Sequence, residues 1–309
     1  MKFDIMTLFP AMVEAVLGES IIGRAGKADA VAVECHQIRD YTKNKHRNVD
    51  DTPAGGGMGM AITRKLTQEG YFVFAMDCRD FESGENTRKI ICDVRDSESV
   101  RAAYEAVKGE CESLYAIIHT AGIYDLDSLV EMSEERFERI FDINLFGLYR
   151  VNREFLPLLS RGSKIVITSS ELAPLDPLPF TGIYAITKAA VEKYAYSLRM
   201  EMNLLGIHVS VIRPGATKTP LLGDSTSALD KFVEGTRLYK TNSKRFKRIV
   251  DSVEAKNVSP DVIGETAYRI VKAKLPRYVY NINRNPLLLI LNALPQRLQN
   301  FIIKLILTK

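Results

Sequence analysis

Tyr184 and Lys188 stand one helical turn apart, fourteen residues beyond Ser170 and forty beyond Asn144. These side chains suit proton transfer to or from an oxygen. A phenol ordinarily keeps its proton until the pH reaches about 10. An ammonium beside it favours phenolate and draws that value toward neutrality. A serine hydroxyl can hold the oxygen of a substrate through reaction, and an asparagine can anchor a water that relays the proton. Ser170 is the first choice for the hydroxyl, with Ser169 as its alternative.

Spacing alone does not single out this pair. Tyr-x-x-x-Lys also occurs at Tyr41, Tyr104 and Tyr268, and residues four apart are neighbours on any helix. Context separates them. Only Tyr184 follows a strand-like run, Lys164 to Thr168, that closes on two serines, and only its helical run leads into a strand ending at Pro214-Gly215.

The elements that must position these residues alternate. Helical patterns cover Ile62 to Glu69, Ser97 to Lys108, Glu134 to Leu159 and Ile183 to Leu205. Extended apolar runs cover Tyr71 to Met76, Ile90 to Cys92, Leu114 to His119, Lys164 to Thr168 and Val209 to Ile212. Apolar strands alternating with helices predict an α/β fold, a doubly wound parallel sheet covered on both faces.

Asn144, Ser170, Tyr184 and Lys188 together form a tetrad that resembles the short-chain dehydrogenase/reductase family, over roughly residues 52–286. The resemblance implies a Rossmann-like domain and an oxidoreductase that interconverts a secondary alcohol and a ketone by hydride transfer, with a small-molecule substrate and a homo-oligomeric state. It also implies that Lys188 bonds the ribose of a nicotinamide cofactor and that Tyr184 contacts the same cofactor.

The expected cofactor residues follow the strands. Gly55, Gly57 and Gly59 precede a helix, where glycines let backbone N–H groups approach a pyrophosphate; Pro53 stands where the family's first glycine belongs. Asp77 closes the next strand, and a carboxylate there accepts from a ribose diol and repels a 2′-phosphate, which points to NAD. Arg79, two residues on, keeps NADP open. By resemblance, Asp93 and Val94 meet the adenine edge, Ala121 and Gly122 belong to the turn after the fourth family strand, and Pro214, Gly215, Thr217 and Thr219 close over the nicotinamide.

Residues 1–51 break the alternation and carry a basic cluster, Lys43 to Arg47. Phe9-Pro10, Arg39-Asp40-Tyr41-Thr42, Val49-Asp50-Asp51 and Gly55 to Met60 resemble the start of bacterial tRNA (guanine-N1) methyltransferase. The S-adenosylmethionine site that follows this stretch in that family does not continue here, so the fragment implies RNA contact at most. The alternative function is accordingly a catalytically impaired fusion. The charged run before Thr52 is no buried strand, so the first, central strand is expected to be displaced or missing, with Val31 to Cys35 as the only upstream filler. The expected organisation is residues 1–51, 52–285 and a tail, 286–309.

The chain has 309 residues, 46% hydrophobic and 26% charged, with net charge +4. That is enough to bury a sizeable core and too little charge to demand a nucleic-acid partner. Four scattered cysteines give neither a zinc pattern nor a disulfide framework, so no metal and a cytoplasmic setting are expected. In the tail, Leu298, Phe301, Ile302 and Leu305 recur at helical spacing beside Arg297 and Lys304. This amphipathic helix is open to three uses: peripheral membrane contact, capping the substrate pocket, or packing on the core.

Overall fold

The computed structural model describes residues 2–7, 32–37, 57–81, 84–254 and 256–308. The chain divides into two compact units, Met1–Thr52 and Pro53–Lys309. In the first, β1 (Lys2–Thr7) pairs in parallel with β2 (Ala32–Gln37) in a two-stranded sheet. The segment expected to fill a central slot is thus paired with β1; Val31 itself lies outside the described residues.

The second unit alternates helix and strand. It runs α1 (Met58–Gln68), β3 (Val73–Asp77), β4 (Thr87–Ile91), α2 (Ser97–Lys108), β5 (Leu114–His119), α3 (Glu134–Phe141) and α4 (Gly147–Phe155). There follow β6 (Leu159–Thr168), α5 (Gly182–Leu204), β7 (His208–Pro214), α6 (Pro220–Gly235), α7 (Lys240–Glu254), α8 (Asp261–Lys272) and β8 (Val279–Ile282). The last helices are α9 (Pro286–Asn292) and α10 (Gln296–Thr308). Every strand pairing is parallel, in the orders β3-β4 and β5-β6-β7-β8.

Successive residues of β6 point to opposite faces, as the pleat requires. Val166 joins Ile62 and Leu66 of α1 and Ile263, Ala267 and Ile270 of α8 on one side. Ile165 and Ile167 meet Val191, Ala195 and Met202 of α5 on the other. The two helices of the first layer cross closely: a Cβ added at Gly264 would sit 2.7 Å from the carbonyl oxygen of Ala61, so only glycine fits. The second layer continues into Val100, Ala103 and Val107 of α2 with Val151 and Phe155 of α4.

β3 and β5 share these apolar clusters, with Val73 and Ala116 on one face and Phe74 and Ile117 on the other, yet they are not hydrogen-bonded to each other. The position between them belongs to the first strand of a doubly wound sheet. Among the described residues no strand occupies it. With the first strand expected to be displaced or missing, the described strands of this unit form a sheet in two parts.

Several boundaries differ from the sequence reading; α1 begins at Met58 rather than Ile62 and β4 at Thr87 rather than Ile90. The helical run from Glu134 is interrupted by a π turn at Asp142–Phe146, and β6 begins at Leu159 rather than Lys164. Residues 221–257 are largely α6 and α7.

Candidate active site

The C-terminal ends of β5, β6 and β7 gather most of the expected residues. Asn144 lies in the π turn, a local overwinding that often marks functional positions. Its amide reads one backbone unit twice: Oδ1 accepts from the Ile123 N–H at 2.8 Å, and Nδ2 donates to the Ile123 carbonyl at 3.0 Å. Nδ2 also donates to the Thr187 hydroxyl at 3.1 Å, which in turn donates to the Tyr184 carbonyl at 2.8 Å. Both amide hydrogens of Asn144 are therefore used in tying the turn after β5 to α5.

Tyr184 is buried in the first turns of α5, its ring edge-on to Tyr124 with centroids 4.5 Å apart. Ser170 lies beside its phenol, drawing the phenol's pKa downward, and Ser170 Oγ accepts from the Leu172 N–H at 3.2 Å. Ser169, the alternative, has a buried hydroxyl without a hydrogen-bond partner among the described residues. Lys188 is buried as well; Nζ donates to the Thr168 carbonyl at 3.2 Å and lies 5.7 Å from the centre of the Tyr184 ring. Gly122 makes room here. A Cβ on it would meet Asn144 Oδ1 at 3.3 Å and Lys188 Nζ at 3.5 Å.

The electrostatics run against the simple expectation from spacing. Burial pushes the Tyr184 phenol up to about 12, with Ser170 opposing and the Glu171 carboxylate adding to the rise. Burial likewise lowers Lys188 to about 8, against an opposing pull from Glu192. In both groups desolvation, which disfavours the charged form, is the largest cause. The phenol is thus held protonated, as a proton donor must be.

Glu171 was not anticipated. It is buried directly after the serines, and burial raises its carboxyl, with its hydrogen bond from the Asn285 N–H and Arg284 opposing. That hydrogen bond is 2.6 Å long, and the Glu171 N–H donates to the Pro214 carbonyl at 2.9 Å. Its other oxygen would lie 2.8 Å from a Cβ on Gly215, where the Asn283 carbonyl also presses at 2.1 Å. An ionisable residue inside Ser-Ser-Glu-Leu-Ala was the available signal.

The remaining residues sit nearby with mixed engagements. Gly57 caps α1 with no side-chain bond and open space around it, and Gly59 approaches Thr120 so closely that a Cβ would lie 2.9 Å from its hydroxyl. Gly55 and Pro53 fall outside the described residues. Asp77 accepts from the Arg79 N–H at 3.0 Å. The Asp93 carboxylate is held by the Arg95 guanidinium, with contacts from 2.6 Å, which keeps it well below the usual carboxylate range. Val94 packs on Gly147, Ala121 follows β5, Thr217 donates to the Gly215 carbonyl at 3.0 Å, and Thr219 caps α6. Among the described residues no cluster of His, Cys, Asp or Glu could hold a metal.

The model of one known family, short chain dehydrogenase, matches residues 52–230. The chain belongs to the short chain dehydrogenase family. It is an oxidoreductase with the parallel-sheet architecture of that family. Residues 1–81 also match the model of tRNA (Guanine-1)-methyltransferase TrmD. Among curated relatives, the 3-ketodihydrosphingosine reductase of Bacteroides thetaiotaomicron is 25% identical over 74% of this chain and 84% of its own. The mitochondrial D-beta-hydroxybutyrate dehydrogenase of Rattus norvegicus is 30% identical over 53% of this chain, which spans only 52% of that relative. The solved structure of 3-ketoacyl-(acyl-carrier-protein) reductase from Brucella melitensis, complexed with NADH, superposes with a TM-score of 0.60 at 22% identity, over 74% of this chain and 93% of its own.

Proposed function

We propose that the protein interconverts a secondary alcohol and a ketone with a nicotinamide cofactor, through Ser170, Tyr184 and Lys188. The observation that carries this reading is the burial of Tyr184, Lys188 and Ser170 together, with Lys188 Nζ 5.7 Å from the centre of the Tyr184 ring. The cofactor, when bound, supplies or accepts the hydride. The chain's own work is to hold the substrate oxygen between the Ser170 hydroxyl and the Tyr184 phenol, and to move one proton between Tyr184 and that oxygen. Lys188 spends one donor on Thr168, and its other hydrogens suit ribose hydroxyls. Asn144 and Thr187 fix the turn of α5 that carries Tyr184.

Several features fit a dinucleotide. The first turn of α1 has no capping side chain, which suits an anion. Gly122 leaves a hollow that a Cβ would begin to fill. Asp77 favours NAD over NADP, with Arg79 Nε at 3.9 Å softening that preference. The second reading, a catalytically impaired fusion, is favoured by the lack of a strand between β3 and β5 among the described residues.

A thermal-shift panel with NADH, NADPH and S-adenosylmethionine separates the readings. Stabilisation by a reduced nicotinamide supports the oxidoreductase. No shift with either reduced cofactor would leave the impaired fusion standing.

A further inference from the structure

The tail presents its amphipathic helix the unexpected way round. Of the stripe, Leu298, Phe301 and Leu305 face solvent, with Phe301 62% exposed, and Ile302 is half-buried, while the polar Gln299 is 6% exposed. Burying an amide and exposing a phenylalanine is unfavourable in water unless other contacts compensate. Here the inward face is fixed. Gln299 Nε2 donates to the Leu294 carbonyl at 2.8 Å and to Asp176 at 3.3 Å. Ile303 and Leu307 pack on the cluster of Leu126, Phe180 and Phe246, and Asn242 donates to the Leu307 carbonyl at 2.9 Å.

The preceding helix, α9, repeats the arrangement. Leu288 and Leu291 face residues 172–185, across a crevice of about 10 Å³, room for one water at most. Leu287 and Ile290 point outward, 70% and 62% exposed. The same helix is tied to the candidate site: the Asn285 N–H donates to Glu171, and the Asp176 N–H donates to Asn292 at 2.7 Å.

Charge identifies the occupant of this face. Residues 286–309 contain no Asp or Glu. Arg297 and Lys304, two turns apart on one border of the stripe, are exposed and make no salt bridge among the described residues. A second copy docked here about a two-fold axis would bring these cations toward each other. No helix of the described residues is long and apolar enough to cross a membrane. We propose that the α9–α10 hairpin is a peripheral membrane surface that lies on an anionic lipid bilayer, seating Leu287, Ile290, Phe301 and Leu305 in the interface with Arg297 and Lys304 among the headgroups.

The test is sedimentation of the full chain with phosphatidylcholine vesicles, with and without phosphatidylglycerol. It needs no turnover, so it stands apart from the oxidoreductase reading. The parent should sediment with the anionic vesicles. Ile290→Glu with Phe301→Glu should weaken that partition by at least about tenfold at unchanged thermal stability, since both side chains are exposed. Arg297→Gln with Lys304→Gln should remove an anionic preference on the order of tenfold. A parent that stays in solution with both vesicles, or a Glu pair that binds as the parent does, overturns the proposal. So does a parent dimer that the Glu pair dissociates when neither protein binds vesicles, because the face would then belong to a second copy.

Discussion

Replacing Lys188 with methionine should make the folded protein more stable while removing its activity. The structure lowers the Lys188 ammonium from 10.5 to about 8, chiefly through burial. A shift of that size, at about 1.4 kcal/mol per pH unit, means that carrying the charge at neutral pH costs the folded state about 3 kcal/mol. Methionine fills similar space without the charge. It also strips the Thr168 carbonyl of the Lys188 hydrogen bond, a loss of about 1–3 kcal/mol if nothing replaces it. The net expectation at pH 7 is a gain of between zero and about 2 kcal/mol. The pH dependence is more specific. Between about 8 and 10.5 the unfolded chain keeps a lysine proton that the folded chain has released, so parent stability climbs with pH through this window. Lys188→Met has no such climb, and its advantage should shrink by about 3 kcal/mol and change sign. Tyr184, raised to about 12, lowers stability once the unfolded phenol ionises above pH 10, but it is present in both proteins and drops out of the difference. Urea denaturation of parent and variant at pH 7 and pH 10 reads this directly. A stability difference that stays constant across that range would refute the buried-ammonium account.

Three other outcomes follow from the same geometry. Gly264→Ala should cost about 1–3 kcal/mol by urea denaturation, because its Cβ meets the Ala61 backbone at 2.7 Å; Gly57→Ala, with open space, serves as the comparison for crowding. Asp77→Ala should narrow or invert a preference for NAD in calorimetric titrations, and a parent that binds NADP more tightly would refute that role. Replacing residues 1–51 with a short apolar strand leading into Thr52, together with Pro53→Gly, should raise both melting temperature and NAD affinity. A rebuilt chain no better than the parent would show that the position between β3 and β5 is not what limits it.

Elements with sharp chemical borders were legible in the sequence. Ser97–Lys108 was read to the residue because Asp96 caps it, accepting from the Glu98 N–H, and Leu114–His119 because an apolar run ends at a turn. The π turn was not, since an extra residue inside a helix leaves no polarity mark. The start of β6 was missed because Ser160, Arg161 and Gly162 look like a loop, and the pairing with β5 slips there between Leu114 and Ala116. For the site, spacing placed Tyr184 and Lys188 side by side and could not show that both are buried, which reverses the expected direction for the phenol. Likewise the tail's apolar stripe was visible, but its facing depends on Asp176 and Leu294, whose bonds let Gln299 turn inward.

The central claim is that Tyr184 delivers the proton. It is tested most directly by following NADH and NADPH oxidation with a panel of ketones, in parent and Tyr184→Phe, alongside cofactor titrations of both proteins. The account predicts turnover in the parent and a loss on the order of a hundredfold or more in the variant, with cofactor affinity nearly unchanged. A Tyr184→Phe protein that turns over as the parent does would contradict it.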